Sequence, residues 1–140
     1  QDEYEQAEKW LQKAEKAACD WAWIEVGEAY HIGNGVEIDY KKAQKCYQNA
    51  YNLGKKNKGE AADRIGIIYF DNKSYDNAYK WFKKSAEADF DFGWKHLGDA
   101  YYKGYGVGRD YEEAIECYEK GLRHYGKAYD LCKKMLDRLY

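Results

Sequence analysis

Cys19, Cys46, Cys117 and Cys132 could in principle hold zinc, form a redox pair or supply a nucleophile. Their spacing supports none of these roles. No two stand in a CxxC pair. Cys46 and Cys117 occupy one offset of a repeated segment, two units apart, and stacked helices lie roughly 10 Å apart. Their sulfurs are therefore expected about 20 Å apart, beyond the ~7 Å Cα limit for a bridge. Thiols buried in a core are the reading; the pair Cys19 and Cys132 stays open. His31, His96 and His124 are scattered. The Asp and Glu residues mix with Lys at helix-surface spacings, as on a solvated face, rather than in a pair poised for acid–base work. Neither a nucleophile elbow nor a Walker-type loop is present. "GNGV" at Gly33 and "GYGV" at Gly104 are Gly-rich, but their glycines stand two apart, no Lys-Ser/Thr follows and no strand precedes, which argues against a phosphate cradle. Asn72-Lys73-Ser74 is a glycosylation sequon on a predicted loop, relevant only in a eukaryotic secretory pathway. The reading is a chain with no catalytic residue, no metal site and no cofactor.

The two Gly-x-Gly-Val segments belong to a longer periodicity. Tyr4, Tyr40, Tyr75 and Tyr111 recur at intervals of 36, 35 and 36 residues. Three residues after each comes Ala7, Ala43, Ala78 or Ala114. Seven after comes Leu11, Tyr47, Phe82 or Tyr118, and ten after comes Ala14, Ala50, Ser85 or Gly121. These offsets share one face of an α-helix, the B helix, with large and small residues at fixed places. Asp39, Ser74 and Asp110 precede it as expected N-caps, and Asp110 with Glu113 has capping-box spacing.

A second helix, A, precedes three of the four. "WIEVGEAY", "ADRIGIIY" and "WKHLGDAY" align on Gly27, Gly66 and Gly98 and on Tyr30, Tyr69 and Tyr101. Gly within a helix costs about 1 kcal/mol against Ala, so its recurrence predicts a neighbouring helix that leaves no room for a Cβ. Gly to B-helix Tyr is 13 residues in the first and third units and 9 in the middle one. The Gly-x-Gly-Val segments make the difference. Gly33 and Gly104 are expected to end helices in a left-handed conformation, with Val36 or Val107 tucked back onto the hairpin. "KAYDLCKKMLDRLY" carries Tyr125, Ala128, Cys132, Met135 and Leu139 at helical spacing and reads as a capping helix without the A pattern. The units are therefore 3–19 (B helix only), 20–56, 59–89, 91–125 and the cap 127–140, in a single domain spanning 1–140.

Composition agrees. The chain lacks Pro altogether and is rich in Ala, Glu, Lys and Tyr, which is compatible with helices throughout. Net charge of −2 gives no nucleic-acid footprint, and no run of about 18 apolar residues predicts membrane insertion. The polar start "QDEYEQAEKW" lacks a leader's apolar core, and Gln1 begins almost on a B helix, as would a segment cut from a longer array. The compartment is not readable.

"LGDAYYKGYGVGRDYEEAIECYEKG" and "VGEAYHIGNGVEIDYKKAQKCYQNA" resemble the Sel-one-like repeat family, a branch of the tetratricopeptide-type solenoids. The middle unit, without the insert, is similar to a plain tetratricopeptide repeat. The resemblance implies an all-α fold, a right-handed superhelical solenoid of antiparallel α-hairpins with A helices on the concave side. It implies adaptor or scaffold roles rather than catalysis.

A second stripe of the A helix points away from the Gly/Tyr stripe. It comprises Trp21, Ile24, Glu28 and His31 in the first unit, Ile67 and Phe70 with Glu60 and Asp63 in the second, and Phe92, Lys95, Asp99 and Tyr102 in the third. Half of it is apolar or aromatic, which predicts a groove for a protein or peptide ligand; the competing reading is gap-filling between stacked units. A family variant clamps a peptide's terminal carboxylate with Lys, Asn and Arg, but this stripe offers only Lys95 and no Asn. The function expected is a non-catalytic interaction scaffold. The alternatives are a structural spacer or self-assembling segment, and a carbohydrate groove using Trp21, Phe70, Phe92 and Tyr102.

Overall fold

The computed structural model describes residues 2–17, 19–123 and 128–140. The B-face side chains of Tyr4, Ala7, Leu11 and Ala14, together with His124 and Tyr125, lie outside the described residues. Eight helices follow one another among the described residues: α1 Asp2–Ala17, α2 Asp20–Ile32, α3 Tyr40–Leu53, α4 Lys58–Asp71, α5 Tyr75–Glu87, α6 Asp91–Lys103, α7 Tyr111–Leu122 and α8 Tyr129–Leu139. No strand occurs among the described residues. α2/α3, α4/α5 and α6/α7 are antiparallel hairpins, each stacked on the next, so the chain is an all-α solenoid.

Inside each hairpin the A-helix glycine meets the B-helix aromatic seven residues after its leading Tyr. A Cβ built on Gly27, Gly66 or Gly98 would lie 2.7, 2.6 or 2.6 Å from the ring of Tyr47, Phe82 or Tyr118 respectively. Tyr47 and Tyr118 have no exposed surface and Phe82 only 5 %. Ala43, Ala78 and Ala114, one turn earlier on the same helix face, are also buried, so the rings sit in a close-packed core. The core forms three successive clusters, with Tyr69 packed against both the first and second and Tyr101 against both the second and third.

Two loop lengths close on the same bond. The N–H of the residue before the B helix donates to the A-helix Tyr carbonyl in all three hairpins: Asp39 to Tyr30, Ser74 to Tyr69 and Asp110 to Tyr101, each at 2.9 Å. The inserted residues are therefore accommodated within the loop, ahead of a common closing bond. Gly33 and Gly104 end their helices at φ 77° and 78°, as expected. Val36 is buried and Val107 half-buried. Gly106 does more than turn the chain. At φ 73° its missing Cβ would lie against the Tyr75 carbonyl oxygen, so this loop rests on the first residue of the preceding hairpin's B helix.

Asp39 and Asp110 cap as expected, accepting from the N–H of Lys42 and Glu113 at 3.0 and 3.1 Å. Ser74 does not. The tight middle turn passes through Lys73 at φ 62° and leaves Ser74 at ψ 72°, away from the extended geometry of the two Asp caps. Its hydroxyl accepts instead from the Asn77 side chain at 3.0 Å.

Successive hairpins are joined by two recurrent polar contacts. The Asp20 carboxylate accepts from the Asn57 N–H at the start of the next A helix (2.9 Å), and Asp91 accepts from the Ala128 N–H (3.3 Å). The A-helix tyrosine hydroxyl meets the fifth residue of the preceding B helix: Gln44 donates to Tyr69 at 2.8 Å, and Tyr79 and Tyr101 share a hydrogen bond at 3.0 Å. The Asp91 contact places α8 in A-helix register. Leu136 then matches Ile65 and Leu97, and Tyr140 matches Tyr69 and Tyr101. Tyr140 also reaches back to α7, but to Glu119, one turn beyond the fifth residue. Asp137 takes the glycine position. α8 is thus built on the A template.

Gly98→Ala should destabilise the fold by about 1–3 kcal/mol, although Ala is the better helix former, because overpacking against Tyr118 outweighs the ~1 kcal/mol of propensity. A urea midpoint equal to or above wild type would show that the ring yields.

Candidate functional site

The C-terminal halves of α4 and α6 diverge around a cleft of about 480 Å³ that extends to α8. Ile67, Phe70, Phe82, Tyr102, Tyr105 and Met135 give it an apolar wall, with Lys103 and Arg138 at the rim. Phe70 is fixed by Tyr105 edge-on at 5.0 Å and by Tyr75 at 5.3 Å, so the docked Gly104–Gly106 loop shapes this wall. Tyr102 rests on Tyr111 at 5.5 Å. A second hollow of about 510 Å³ continues between the N-terminal halves of the same helices, lined by Glu60, Asp63, Arg64, Phe92 and others. Ile67 and His96 border both, so the two form one groove.

Four of the residues expected from the second stripe meet in the first cleft: Ile67, Phe70, Asp99 and Tyr102. Phe92 lies in the adjoining hollow. Lys95 is bound to Asp99 at 2.6 Å one turn away. The first unit contributes none to this groove. Trp21 is half-exposed and packs edge-on against Trp10 at 6.0 Å. Glu28 pairs with Arg64 at 3.6 Å. His31 sits edge-on to Tyr40 and Tyr47. Ile24 is a correction: at 3 % exposure it belongs to the core. It stands three before the glycine. Asp63, at the same offset and also buried, reaches across to α6 and meets His96 Nδ1 at 2.7 Å.

His96 is the residue that spacing alone undervalues. It is held between Phe82 (4.9 Å) and Phe92 (6.3 Å) with Asp63 fixing one ring nitrogen. The A-helix stripe does not point to Met135 and Arg138 either, though both line the cleft. The signal for them was the match of Asp130, Leu136 and Tyr140 to the A pattern, which puts Arg138 at the offset of Glu28, Ile67 and Asp99.

The polar groups of the groove are mostly committed to one another. Tyr118 donates to Asp99 at 2.5 Å, and burial, followed by that bond, raises its pKa. Glu28, one methylene longer than Asp99, turns to Arg64 instead, and the Tyr47 hydroxyl makes no well-formed hydrogen bond. Among the described residues, no group of His, Cys, Asp and Glu could hold a metal ion. Cys46, Cys117 and Cys132 are buried, and burial pushes their thiols up to about 11, 12 and 11. Cys19 is half-exposed.

The Sel1 repeat model matches residues 1–19, 24–55 and 96–124 of the chain, and a tetratricopeptide repeat model matches residues 59–92. This chain belongs to the Sel1 repeat family. Two of the Sel1 matches fall on the units with long loops and the third on α1, while the tetratricopeptide match falls on the short-looped hairpin. Among solved structures, a protective antigen of uropathogenic Escherichia coli displaying an SLR fold is 25 % identical with a TM-score of 0.79, over 94 % of this chain and 28 % of that one. The chain thus spans little more than a quarter of that antigen. A Sel1 repeat protein from Oxalobacter formigenes is 25 % identical with a TM-score of 0.73, over 91 % of this chain and 95 % of that one. No curated protein matches. Sel1 and tetratricopeptide repeats are generally protein–protein interaction modules and typically non-catalytic. No helix among the described residues is long and apolar enough to cross a membrane.

Two outcomes follow from these Sel1 repeats. Asp99→Ala strands the buried Tyr118 hydroxyl and should cost about 1–3 kcal/mol by urea denaturation; Lys95→Ala, which removes only a partly exposed ion pair, should cost under about 1 kcal/mol. Iodoacetamide at pH 8 should label Cys19 first, because the other thiols are both shielded and far below their pKa values, with almost no thiolate; peptide mass spectrometry locates the adduct.

Proposed function

We propose that the chain is a non-catalytic scaffold that holds a peptide or an element of a partner protein in the groove between α4, α6 and α8. The observation that supports this reading most directly is the apolar cleft itself. Phe70, Tyr102 and Met135 line an open volume of about 480 Å³ that no side chain among the described residues fills. Residues serving only to fill gaps between stacked units would close it. A cleft of this size, mostly apolar with a few placed charges, suits the anchor side chains of a bound segment. The aromatic rings contribute edges as much as faces: Phe70 is clasped by Tyr75 and Tyr105, which leaves less flat surface than a sugar-stacking platform needs. An interaction module is therefore favoured over a carbohydrate groove. A plain spacer gives no reason for Met135 and Tyr102 to converge on an open hollow.

The experiment is affinity capture with the wild-type chain and with Phe70→Ala/Tyr102→Ala. Both side chains are only partly buried, so the variant should keep its helical circular dichroism while partner recovery falls at least tenfold. Retained helicity with undiminished recovery would remove the groove from the function.

A further inference from the structure

The charges along this groove are sorted, and the sorting specifies its ligand. At the end formed by the C-terminal halves of α4 and α6, Lys103 and Arg138 are exposed, and neither makes an ion pair among the described residues. Lys103 instead lies over the Tyr102 ring at 5.4 Å. Asp99, the one carboxylate among the residues that line this cleft, is already engaged by Lys95 and by the Tyr118 hydroxyl. This end is therefore net positive. The opposite end carries Glu60, Asp63 and Asp91 against the single guanidinium of Arg64, which Glu28 also approaches. That end is net negative, whether or not His96 is charged.

Helix geometry sets the scale. Glu60 and Phe70 are ten residues apart on α4, about 15 Å at 1.5 Å per residue. An extended peptide covers that span in four or five residues at roughly 3.3 Å each. We propose that the occupant is a bipolar peptide segment: an aromatic or long aliphatic anchor seated between Phe70, Tyr102 and Met135, an acidic residue beside it facing Lys103 and Arg138, and a basic residue about five positions away facing Glu60 and Asp91. This rests on the groove being the binding site and adds the chemistry of what binds. Charge complementarity fixes register and direction, while the apolar anchor supplies most of the affinity.

The test is selection from a random twelve-residue peptide library displayed on phage. The wild-type chain, the Phe70→Ala/Tyr102→Ala variant and a Lys103→Glu/Arg138→Glu variant are each used as bait. Peptides enriched by wild type and lost with Phe70→Ala/Tyr102→Ala locate binding in the groove. Among them, an acidic residue within two positions of the anchor and a basic residue four to six away is the expected pattern. The Lys103→Glu/Arg138→Glu variant should bind those peptides about five- to tenfold more weakly in fluorescence anisotropy at low salt. Replacing the peptide's acidic residue with Lys should restore binding to that variant. Groove-dependent peptides with no charge order, or with affinity indifferent to the charge reversal, overturn the bipolar ligand while leaving the groove in place. Enrichment indifferent to Phe70→Ala/Tyr102→Ala overturns both. Lys103 and Arg138 are exposed, so the reversal should leave the thermal melt unchanged, and that melt is recorded alongside.

Discussion

One constraint recurs at the centre of each hairpin: an aromatic ring of the B helix occupies the space where an A-helix side chain would begin. Because Tyr47, Phe82 and Tyr118 press against the backbones of Gly27, Gly66 and Gly98, the two helices approach more closely than side chains on both faces would permit. That approach sets the position of the Tyr30, Tyr69 and Tyr101 carbonyls, which receive the incoming B helix whatever the loop length. It also carries the tyrosine hydroxyls of α4 and α6 out to the preceding hairpin, where Gln44 and Tyr79 meet them. Stacking is thus a consequence of how each hairpin is closed. The groove in turn is a consequence of stacking, since it is the gap left between α4 and α6 once α5 holds both.

The family placement fits this logic. The long-looped units match the Sel1 model and the short-looped unit the tetratricopeptide model, yet all three hairpins share the glycine–aromatic contact and the same closing bond. The two repeat types differ in this chain by four residues on the outside of a common frame. That is why they stack in one array without a break.

The frame was legible in the sequence because each of its contacts recurs. A glycine three times in one register, opposite an aromatic three times in another, can be read without coordinates. What escaped was whatever occurs once or twice, or joins units that simple alignment treats separately. Asp20 and Asp91 share an offset, but Gly59 interrupts the series in the middle unit, so the tie between A helices has only two instances. α8 has neither the glycine nor the tryptophan, and its register shows only through Asp130, Leu136 and Tyr140; Arg138 and Met135 were missed with it. Ile24 reads as a groove residue on a helical wheel, which gives an angle but not the identity of the neighbour at that angle. Asp63 and His96 meet across 33 residues, beyond any periodic signal. Ser74 looked like a cap by type and position, and the tight turn before it withdrew the geometry a cap needs.

The loop around Gly106 has a consequence for modularity. Its backbone lies on Tyr75, the residue that opens α5 directly after the four-residue-shorter turn, and its Tyr105 ring stacks on Tyr75 at 4.8 Å. A long connector here is seated against the stub of a short one. Two hairpins with the same internal frame are then not interchangeable beads on a string: a shuffled version with the second and third units transposed would lose this seat and the aromatic clasp around Phe70. The order of unequal units is itself structural information, written in the loops rather than in the helices.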